Sequence, residues 1–249
     1  MCSHPIRDID YLLLEGSMLG RMEGPYPNEK AVEDKLKSAF QNKSNIAFVF
    51  CSSQNIDRLV SIYRAAKRTG QTFVIDLYTA YILNSLRGIS HRLPQYFWLD
   101  VRVVYFKYHA DTLANNGMRD FLYRCSRSKI EKADINRYRK NIVMVTRNNH
   151  DFWDLLNYVD DFTGTQAIYS MWEGYLENSG LRDKLTQKGI ALEIIHTSGH
   201  ATENDLEKLV DSFKPGCLFP IHTFQPERYP SLFAGTPVRL LKDGEEIIL

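Results

Sequence analysis

Three histidines lie within a stretch of 27 residues near the C-terminal end of the chain: His196, His200 and His222. His196 and His200 flank a Ser-Gly turn, and His222 ends the next apolar run. Imidazole transfers protons near neutral pH and is a common zinc ligand. A single histidine is more often a structural hydrogen-bonding group, but three at this spacing indicate acid–base or metal chemistry.

The segment around these histidines predicts a strand, a turn, a helix and a second strand. Residues 191–195 form a short β-prone run that ends just before His196. Thr202 with Asp205 is typical of a helix N-cap, and the Pro215-Gly216 pair ends that helix. Residues 217–221 predict another buried strand, with His222 at its carboxyl end. In open α/β folds, ligands bind at the carboxyl ends of strands.

A candidate acidic partner lies near the N-terminus. Residues 10–15 are a continuous apolar run, of the kind that is buried on both faces of a sheet, and the run ends at Glu15. Glu15 is either a site residue or a loop carboxylate that caps a neighbouring group. The glycines that follow match neither a P-loop nor a dinucleotide fingerprint.

Strands and helices alternate regularly from residue 28 to residue 187. The predicted helices are 29–40, 53–69, 78–87, 111–125, 152–159 and 173–187, and the predicted strands are 45–51, 72–76, 101–106, 142–146 and 166–169. This order predicts an α/β fold with a parallel, Rossmann-like sheet covered by helices on both faces. Residues 238–241 and 246–249 predict a terminal β-hairpin around Asp243-Gly244.

Two further features could contact an anionic substrate. Ser170 follows a predicted strand, where a hydroxyl can either bind phosphate or cap a helix. The stretch from Arg119 to Arg147 holds nine basic and three acidic residues with two interleaved tyrosines. It is either a polyanion-binding surface with stacking side chains or a solvated helical surface.

Composition sets limits on the class of protein. The chain has 249 residues, 44% of them hydrophobic, which is ample for a buried core. Its net charge of +1 gives no overall field that would attract nucleic acid or a membrane. The four cysteines are far apart, which is typical of reduced thiols, and there is neither a leader nor an apolar run of about 18 residues. We expect a cytoplasmic protein that does not span a membrane.

The histidines alone do not make a metal centre. Glu15 could orient His200 and raise its pKa, and His222 could ligate a metal. A catalytic zinc needs about three protein ligands, however, and the rest of the chain offers no H-x-H, no H-x-x-x-H helix pair and no cysteine cluster. It also lacks the G-x-S-x-G motif of serine hydrolases.

Three motifs together resemble one known family. The stretches L-L-L-E-G-S-M-L-G, H-T-S-G-H-A-T and F-P-I-H-T look like the later motifs of the β-CASP branch of the metallo-β-lactamase fold, which includes ribonuclease J-like and cleavage-factor-like nucleases. In that family an acidic residue ends a strand and is followed by a Rossmann-like β-CASP cassette, an S-G-H-A-like turn and a strand that ends in P-x-H. The order and spacing match over nearly the whole chain.

The resemblance implies roles for individual residues. Glu15 corresponds to the acidic partner, His200 to the proton donor that it orients, and His222 to a metal-ligating histidine. Ser198 lies beside the phosphate-binding turn, and His196 has only a supporting role. The candidate substrate-binding residues are Ser198, Gly199, Ser170 and Arg147.

The chain also departs from the family. The H-x-H-x-D-H motif that supplies most ligands of the two-zinc site is absent, and at most one ligand is evident. The resemblance therefore implies a C-terminal portion, with metallo-β-lactamase-fold segments at 1–26 and 190–249 and a β-CASP cassette at 27–189. It implies partners as well: nucleic acid, most plausibly RNA, and the missing N-terminal half or a complementing chain, with self-association possible.

Three hypotheses follow. The first is a zinc-dependent phosphodiester hydrolase of ribonuclease type, inactive without its missing half. The second is a non-catalytic module of the same ancestry that binds nucleic acid or a partner. The third, a free-standing nucleotide-binding α/β protein, is disfavoured because the first strand is not followed by a glycine fingerprint. RNA, DNA or small-ester substrates and endo- or exonucleolytic cleavage all remain open.

Overall fold

The structure is a computed structural model that describes residue 6 and residues 9–20 and 26–246. The chain divides into two compact units, one formed by Met1–Pro25 with Gly199–Leu249 and the other by Tyr26–Ser198. In chain order the strands and α-helices are β1 (Tyr11–Glu15), α1 (Glu29–Asn42), β2 (Ala47–Phe50), α2 (Ile56–Arg68), β3 (Thr72–Asp76), α3 (Leu77–Ser85), β4 (Val101–Val104), α4 (Lys107–Asn115), α5 (Arg119–Ser126), β5 (Lys129–Ile130), α6 (Lys132–Tyr138), β6 (Ile142–Thr146), α7 (His150–Leu156), β7 (Gln166–Tyr169), α8 (Gly174–Glu177), α9 (Leu181–Gln187), β8 (Ala191–Ile194), α10 (Glu203–Phe213), β9 (Cys217–Ile221) and α11 (Tyr229–Leu232).

The larger unit is built on a seven-stranded sheet whose strands are all parallel. Their order is β5-β4-β3-β6-β2-β7-β8, and every βα connection carries the chain back to the same end of the sheet. The interior strand β2 is fully buried, and two hydrophobic clusters lie on opposite faces of the sheet. The predicted α/β, Rossmann-like fold is thereby confirmed.

Two of the predicted helices are each divided in the structure. Residues 111–125 contribute to α4 and α5, because Gly117 between them has a φ of 78°. Residues 173–187 form α8 and α9, separated by Gly180 with a φ of 63°. A left-handed backbone ends an α-helix, and glycine adopts it without the steric penalty of a β-carbon. The sequence analysis missed β5 and α6, which are short and lie in the basic stretch.

The smaller unit holds a two-stranded parallel sheet, with β1 paired to β9. Leu14 and Leu218 pack with α10 and α11 in a small hydrophobic cluster on one face. The expectation that residues 10–15 are buried on both faces is wrong for the described residues, since Leu13 is 61% exposed and Tyr11 is 41% exposed. The predicted strands 191–195 and 217–221 and the helix between them are confirmed as β8, β9 and α10.

The predicted terminal hairpin is only partly described. Val238 makes an isolated parallel bridge to Leu218, so this arm runs beside β9 instead of starting an antiparallel ribbon. Asp243 and Gly244 lie in a turn, and residues 247–249 of the second arm lie outside the described residues.

Candidate active site

Parallel pairing of β1 with β9 brings two of the sequence-predicted residues to one edge of the smaller unit. Glu15 is the last residue of β1 and is paired with Ile221, the last residue of β9. His222 follows directly, so the carboxylate and the imidazole emerge from the same end of the sheet. The central site residues thus come from chain segments that are far apart in sequence.

A glycine and a buried tyrosine hold the chain at the exit of β1. The Tyr229 hydroxyl donates to the carbonyl oxygen of Leu14 at 2.8 Å, and Tyr229 is fully buried. A β-carbon on Gly16 would lie 2.5 Å from this hydroxyl oxygen and 2.8 Å from a methyl of Leu19. Residue 16 therefore has no space for a side chain. This close packing fixes the path of the backbone and thereby positions the side chains of Glu15 and Ser17.

Glu15 and His200 form the predicted carboxylate–imidazole pair. The Nδ1 atom of His200 lies 3.3 Å from Oε1 of Glu15. An ionised carboxylate can only accept a hydrogen bond, so Nδ1 carries the proton of this contact. This geometry is the one in which a carboxylate orients a histidine for acid–base catalysis.

The carboxylate of Glu15 is held in its charged form. Partial burial would raise its pKa, but hydrogen bonds from Ser17 and the charge of a protonated His200 outweigh that effect and lower the pKa of Glu15 below its usual value. The backbone N–H of Ser17 donates to Oε2 at 3.0 Å. Glu15 is therefore a stable partner for His200 at neutral pH.

His222 is fixed through Ser17. The Ser17 hydroxyl donates to the carbonyl oxygen of His222 at 3.2 Å and lies 3.1 Å from its Nδ1. In the tautomer that donates from Nδ1 to the Ser17 oxygen, Nε2 of His222 keeps the lone pair that a metal ion would need. The rings of His200 and His222 are 5.8 Å apart between centroids.

The backbone of His222 is in the left-handed region, with a φ of 48°. This conformation costs a residue other than glycine roughly 1–2 kcal/mol. His222 is exposed, so packing does not explain why a histidine occupies the position. Strained residues of this kind concentrate at functional sites.

The described residues do not complete a zinc site. Among them, no group of three or more His, Cys, Asp or Glu side chains could hold a metal ion. A catalytic zinc is held by about three protein ligands. The described donor set around His222 therefore does not fit a zinc ion by itself.

The larger unit contains a buried ion-pair cluster that the sequence analysis missed. Arg58 is fully buried and donates to both carboxylate oxygens of Glu29, at 2.8–3.1 Å. Its Nη1 also donates to the carbonyl and the hydroxyl of Ser170, at 2.9 and 2.6 Å. The Ser170 hydroxyl in turn donates to the carbonyl oxygen of Ile195. The cluster therefore ties α1 and α2 to the ends of β7 and β8.

Ser170 does not have the exposed position that we expected of a substrate-binding residue. It is fully buried, and both functions of its hydroxyl are used within the protein. It is not a helix N-cap either, since α8 begins four residues later. Ser170 is buried, and not exposed as we expected, because Arg58 covers the end of β7.

His196 belongs to the same cluster. Its Nδ1 lies 3.2 Å from Nη1 of Arg58. Burial, reinforced by the charge of Arg58, lowers the pKa of His196 to about 4. The ring is therefore neutral and accepts from Arg58, which agrees with a supporting role.

Arg147 does not present a free charge to a substrate. It follows β6, which lies between β3 and β2 in the sheet. The guanidinium donates to Asp76 at the end of β3 and to Ser53 after β2. Its charge is thus offset by Asp76, so an isolated phosphate gains little from it.

The remaining predicted features are the Ser198-Gly199 turn and the basic stretch. Gly199 has a φ of 74°, which explains why the turn before His200 contains glycine. Ser198 is exposed. In the basic stretch, Arg119, Arg124, Arg127 and Arg137 are exposed, whereas Lys129 pairs with Glu131. Both interpretations of this stretch remain open.

Comparisons with known proteins bear on the C-terminal part of the chain. Residues 190–225 match a family model described as the Zn-dependent metallo-hydrolase RNA specificity domain (RMMBL). This range includes β8, α10, β9 and all three histidines of the site. No curated protein matches the sequence significantly.

A solved structure is similar over nearly the whole chain. It is a crystal structure of a protein from Enterococcus faecalis V583, described as of unknown function, with 18% identity and a TM-score of 0.65. The match covers 98% of this chain and 52% of that one, so the chain spans about half the length of the related protein.

At 18% identity the similarity shows the fold alone. The structure describes no helix that is long and apolar enough to cross a membrane. The match over residues 190–225 supports the metallo-β-lactamase/β-CASP resemblance: this segment resembles the RNA specificity domain of Zn-dependent metallo-hydrolases.

Proposed function

We propose that the chain is the C-terminal portion of a zinc-dependent β-CASP metallo-hydrolase that cleaves phosphodiester bonds in RNA. The observation that carries the proposal is the contact between Glu15 and His200 beside His222. The family match over residues 190–225 supports RNA as the substrate class.

In this proposal His200 is the proton donor to the leaving oxygen. Glu15 accepts the Nδ1–H of His200, which keeps the imidazolium in one orientation and presents Nε2–H to the substrate. The alkoxide of a ribose is a poor leaving group. A proton donated to the leaving oxygen as the P–O bond breaks lets this group depart as a neutral alcohol. A positioned general acid of this kind contributes typically about 10²–10⁴-fold to the rate.

The metal donors beyond His222 have to come from outside the described residues. The described donor set does not fit a zinc ion, so we assign no catalytic step to the metal here. An N-terminal metallo-β-lactamase half, in the same chain or in a second chain, would supply the remaining ligands. In the same proposal residues 27–189 are the β-CASP cassette, and segments 1–26 and 190–249 belong to the metallo-β-lactamase fold.

The exposed face of the small sheet supports a covering partner. Leu13 and Tyr11 on β1 and Ile221 on β9 expose large apolar side chains, and β1 pairs only with β9 within the described residues. An unpaired strand edge beside exposed apolar side chains is typical of an interface. The missing half is the occupant that we propose, and a second copy of this chain is the alternative.

A second candidate function is a non-catalytic module that binds nucleic acid or a partner. The absence of a three-donor group from the described residues favours it. The strained backbone of His222 and the Glu15–His200 contact favour the enzyme, since a binding module has no need of either.

The role of His200 can be tested with two substrates in the assembly that includes the metal donors. We expect His200→Ala to slow hydrolysis of an RNA oligonucleotide by about 10²–10⁴-fold. Hydrolysis of bis(4-nitrophenyl) phosphate should slow much less, because nitrophenolate leaves without a proton. Glu15→Gln should show the same pattern in weaker form.

The matched control is His150→Ala, because His150 is an exposed histidine of the larger unit that pairs with Asp154 within α7. It should leave both rates unchanged. An equal loss on the two substrates with His200→Ala would show that His200 is not the proton donor.

A further inference from the structure

A cavity of about 330 Å³ opens beside Arg147 in the larger unit. Its walls come from α3, from α4 and from the segment that follows β6, so it lies at the carboxyl edge of the seven-stranded sheet. Its volume falls within the range of roughly 300–1,000 Å³ that is usual for small-molecule sites. Neither the proposed proton transfer nor the buried Arg58 cluster uses it.

Flat groups that are held in place form one wall of the cavity. The guanidinium carbon of Arg147 lies 5.3 Å from the centroid of the Tyr78 ring. Asp76 and Ser53 fix the guanidinium plane through its two terminal nitrogens, and Gln54 donates to the Tyr78 hydroxyl at 3.3 Å. A wall fixed in this way loses little conformational entropy when a planar group stacks on it.

A second aromatic wall is open to solvent. Tyr108 lies on α4 and is 72% exposed, and its ring centroid is 5.9 Å from that of His109. His109 also lies 6.1 Å from Tyr78 between ring centroids. The cavity thus offers aromatic faces both at its base and at its mouth.

The charge of the cavity does not favour a free anion. Arg147 is the only residue among its lining side chains with a fixed charge, and Asp76 offsets it. The described walls are therefore suited to a neutral planar ligand more than to a phosphate or carboxylate. The cavity differs in this respect from the exposed arginines of the basic stretch, whose charges would attract an anion.

Two hydrogen-bonding groups of the cavity are unused within the described residues. The Nδ1 atom of His109 is buried without a hydrogen-bond partner, and it lies 3.8 Å from the nearest carboxylate oxygen of Asp76. Asn149 uses its Oδ1 to cap α7, and its Nδ2 donates to no described residue. A buried polar atom without a partner costs free energy, which a ligand edge with matching donors and acceptors would recover.

We propose that this cavity binds a nucleobase. The ring stacks against Tyr78, Tyr108 and the plane of Arg147, and its polar edge faces His109 and Asn149. Bases of single-stranded RNA are recognised in this way, by stacking on aromatic rings and guanidinium planes with hydrogen bonds to their edges. The inference rests on the proposed function in one respect, namely that an RNA strand delivers the base.

The cavity lies at the same edge of the seven-stranded sheet as the end of β8. Arg147 follows β6, and His196 follows β8, three strands away at the same carboxyl edge. Neighbouring strands are about 4.8 Å apart, so the two positions are separated by about 14 Å along the sheet. A base bound in the cavity would hold an RNA strand at that distance from the end of β8.

The test is a metal-free fluorescence titration of the 249-residue chain. The probe is a ten-nucleotide oligouridylate with one internal 2-aminopurine, whose emission is quenched on stacking. We expect quenching with the unmodified protein, and an affinity about 5- to 150-fold weaker with Tyr108→Ala, which is the range for the loss of one stacked base. Tyr78→Leu should weaken binding as well.

Controls separate the base site from general RNA binding and from folding. Tyr108 is exposed, so its replacement leaves the core intact, and Tyr175→Ala removes an equally exposed tyrosine (69%) outside the cavity and should have no effect. An abasic oligomer should bind the unmodified protein and Tyr108→Ala equally. Free 2-aminopurine riboside monophosphate shows whether the site accepts a base without a strand.

The proposal is overturned if Tyr108→Ala binds and quenches like the unmodified protein, or if neither the oligomer nor the free nucleotide is quenched. These readouts need neither metal nor hydrolysis. A failure here therefore leaves the two-substrate test of His200 intact, and a failure of that test leaves the cavity result standing.

Discussion

At the scale of single residues, the candidate site depends on one charge pair and one strained histidine. The lowered pKa of Glu15 keeps a carboxylate against His200, and Ser17 connects Glu15 to His222 through its backbone and its hydroxyl. His222 keeps a left-handed backbone although it is exposed. A position selected for stability alone would favour glycine there.

This strain predicts the effect of replacing His222. We expect His222→Gly to be more stable than His222→Ala by about 0.5–1 kcal/mol. Glycine avoids the steric penalty of the left-handed backbone, which alanine keeps. The larger conformational entropy of glycine in the unfolded chain offsets part of this gain. Both variants lose the ring and the contact with Ser17, so that loss cancels. Urea unfolding of the two proteins measures the difference. If the glycine variant is less stable than the alanine variant, the backbone of residue 222 is not strained.

At the scale of elements, the carboxyl ends of the strands collect the polar groups of each unit. In the larger unit, Arg58 joins α1 and α2 to the ends of β7 and β8 through Glu29, Ser170 and His196. Because β6 lies between β3 and β2, Arg147 reaches Asp76 on one side and Ser53 on the other. The parallel order of the strands thus determines which side chains meet.

The buried position of His196 predicts a pH dependence of stability. Its pKa is about 4 in the folded protein and near 6.5 when exposed, so between these values the unfolded chain binds a proton that the folded chain does not. The free energy of unfolding should therefore fall as the pH falls from about 6.5 to about 4. His196→Asn keeps an acceptor for Arg58 but does not titrate, so its curve should be flatter.

Urea unfolding at several pH values between 4 and 7.5 measures both curves. The two proteins differ only at residue 196, so the difference between the slopes of the two curves is the diagnostic quantity. Parallel curves would mean that His196 is not buried as a neutral ring beside Arg58.

Much of the fold follows from sequence patterns, whereas much of the site does not. Apolar runs and helix signals predict β3, β6 and β7 with the observed bounds, because a buried parallel strand is a short continuous apolar segment. Glu15, His200 and His222 are found because strand exits and motif spacing mark them. Helix breaks at Gly117 and Gly180 are harder to predict, since a glycine within a helical pattern is often tolerated.

The missed residues are those whose role depends on tertiary contacts. Arg58 lies in the first turn of α2, and only the fold shows that this arginine is fully buried. The pairing of Asp76 with Arg147 depends on the strand order, which the chain order of the elements does not specify. Ser17 could have been noticed, because it stands two residues after Glu15 in the glycine-bearing loop.

At the scale of the whole molecule, the described part of the chain contains a Glu15–His200 contact beside His222 but no group of three or more His, Cys, Asp or Glu side chains that could hold a metal ion. The chain spans about half of the related protein from Enterococcus faecalis, and the small sheet exposes an apolar face. In our account the rest of the metal site is contributed from elsewhere, and His222 is the ligand that this chain contributes.

The zinc content of the purified 249-residue chain, measured by plasma mass spectrometry beside His222→Ala, tests this account most directly. We predict well below one zinc per chain alone, unchanged by the substitution. In the assembly with the missing half we predict about two, as the resemblance implies, reduced by His222→Ala. Near two zinc ions in the chain alone would contradict the account, since the donors would then lie in this chain. So would a full zinc content of the assembly that His222→Ala leaves unchanged.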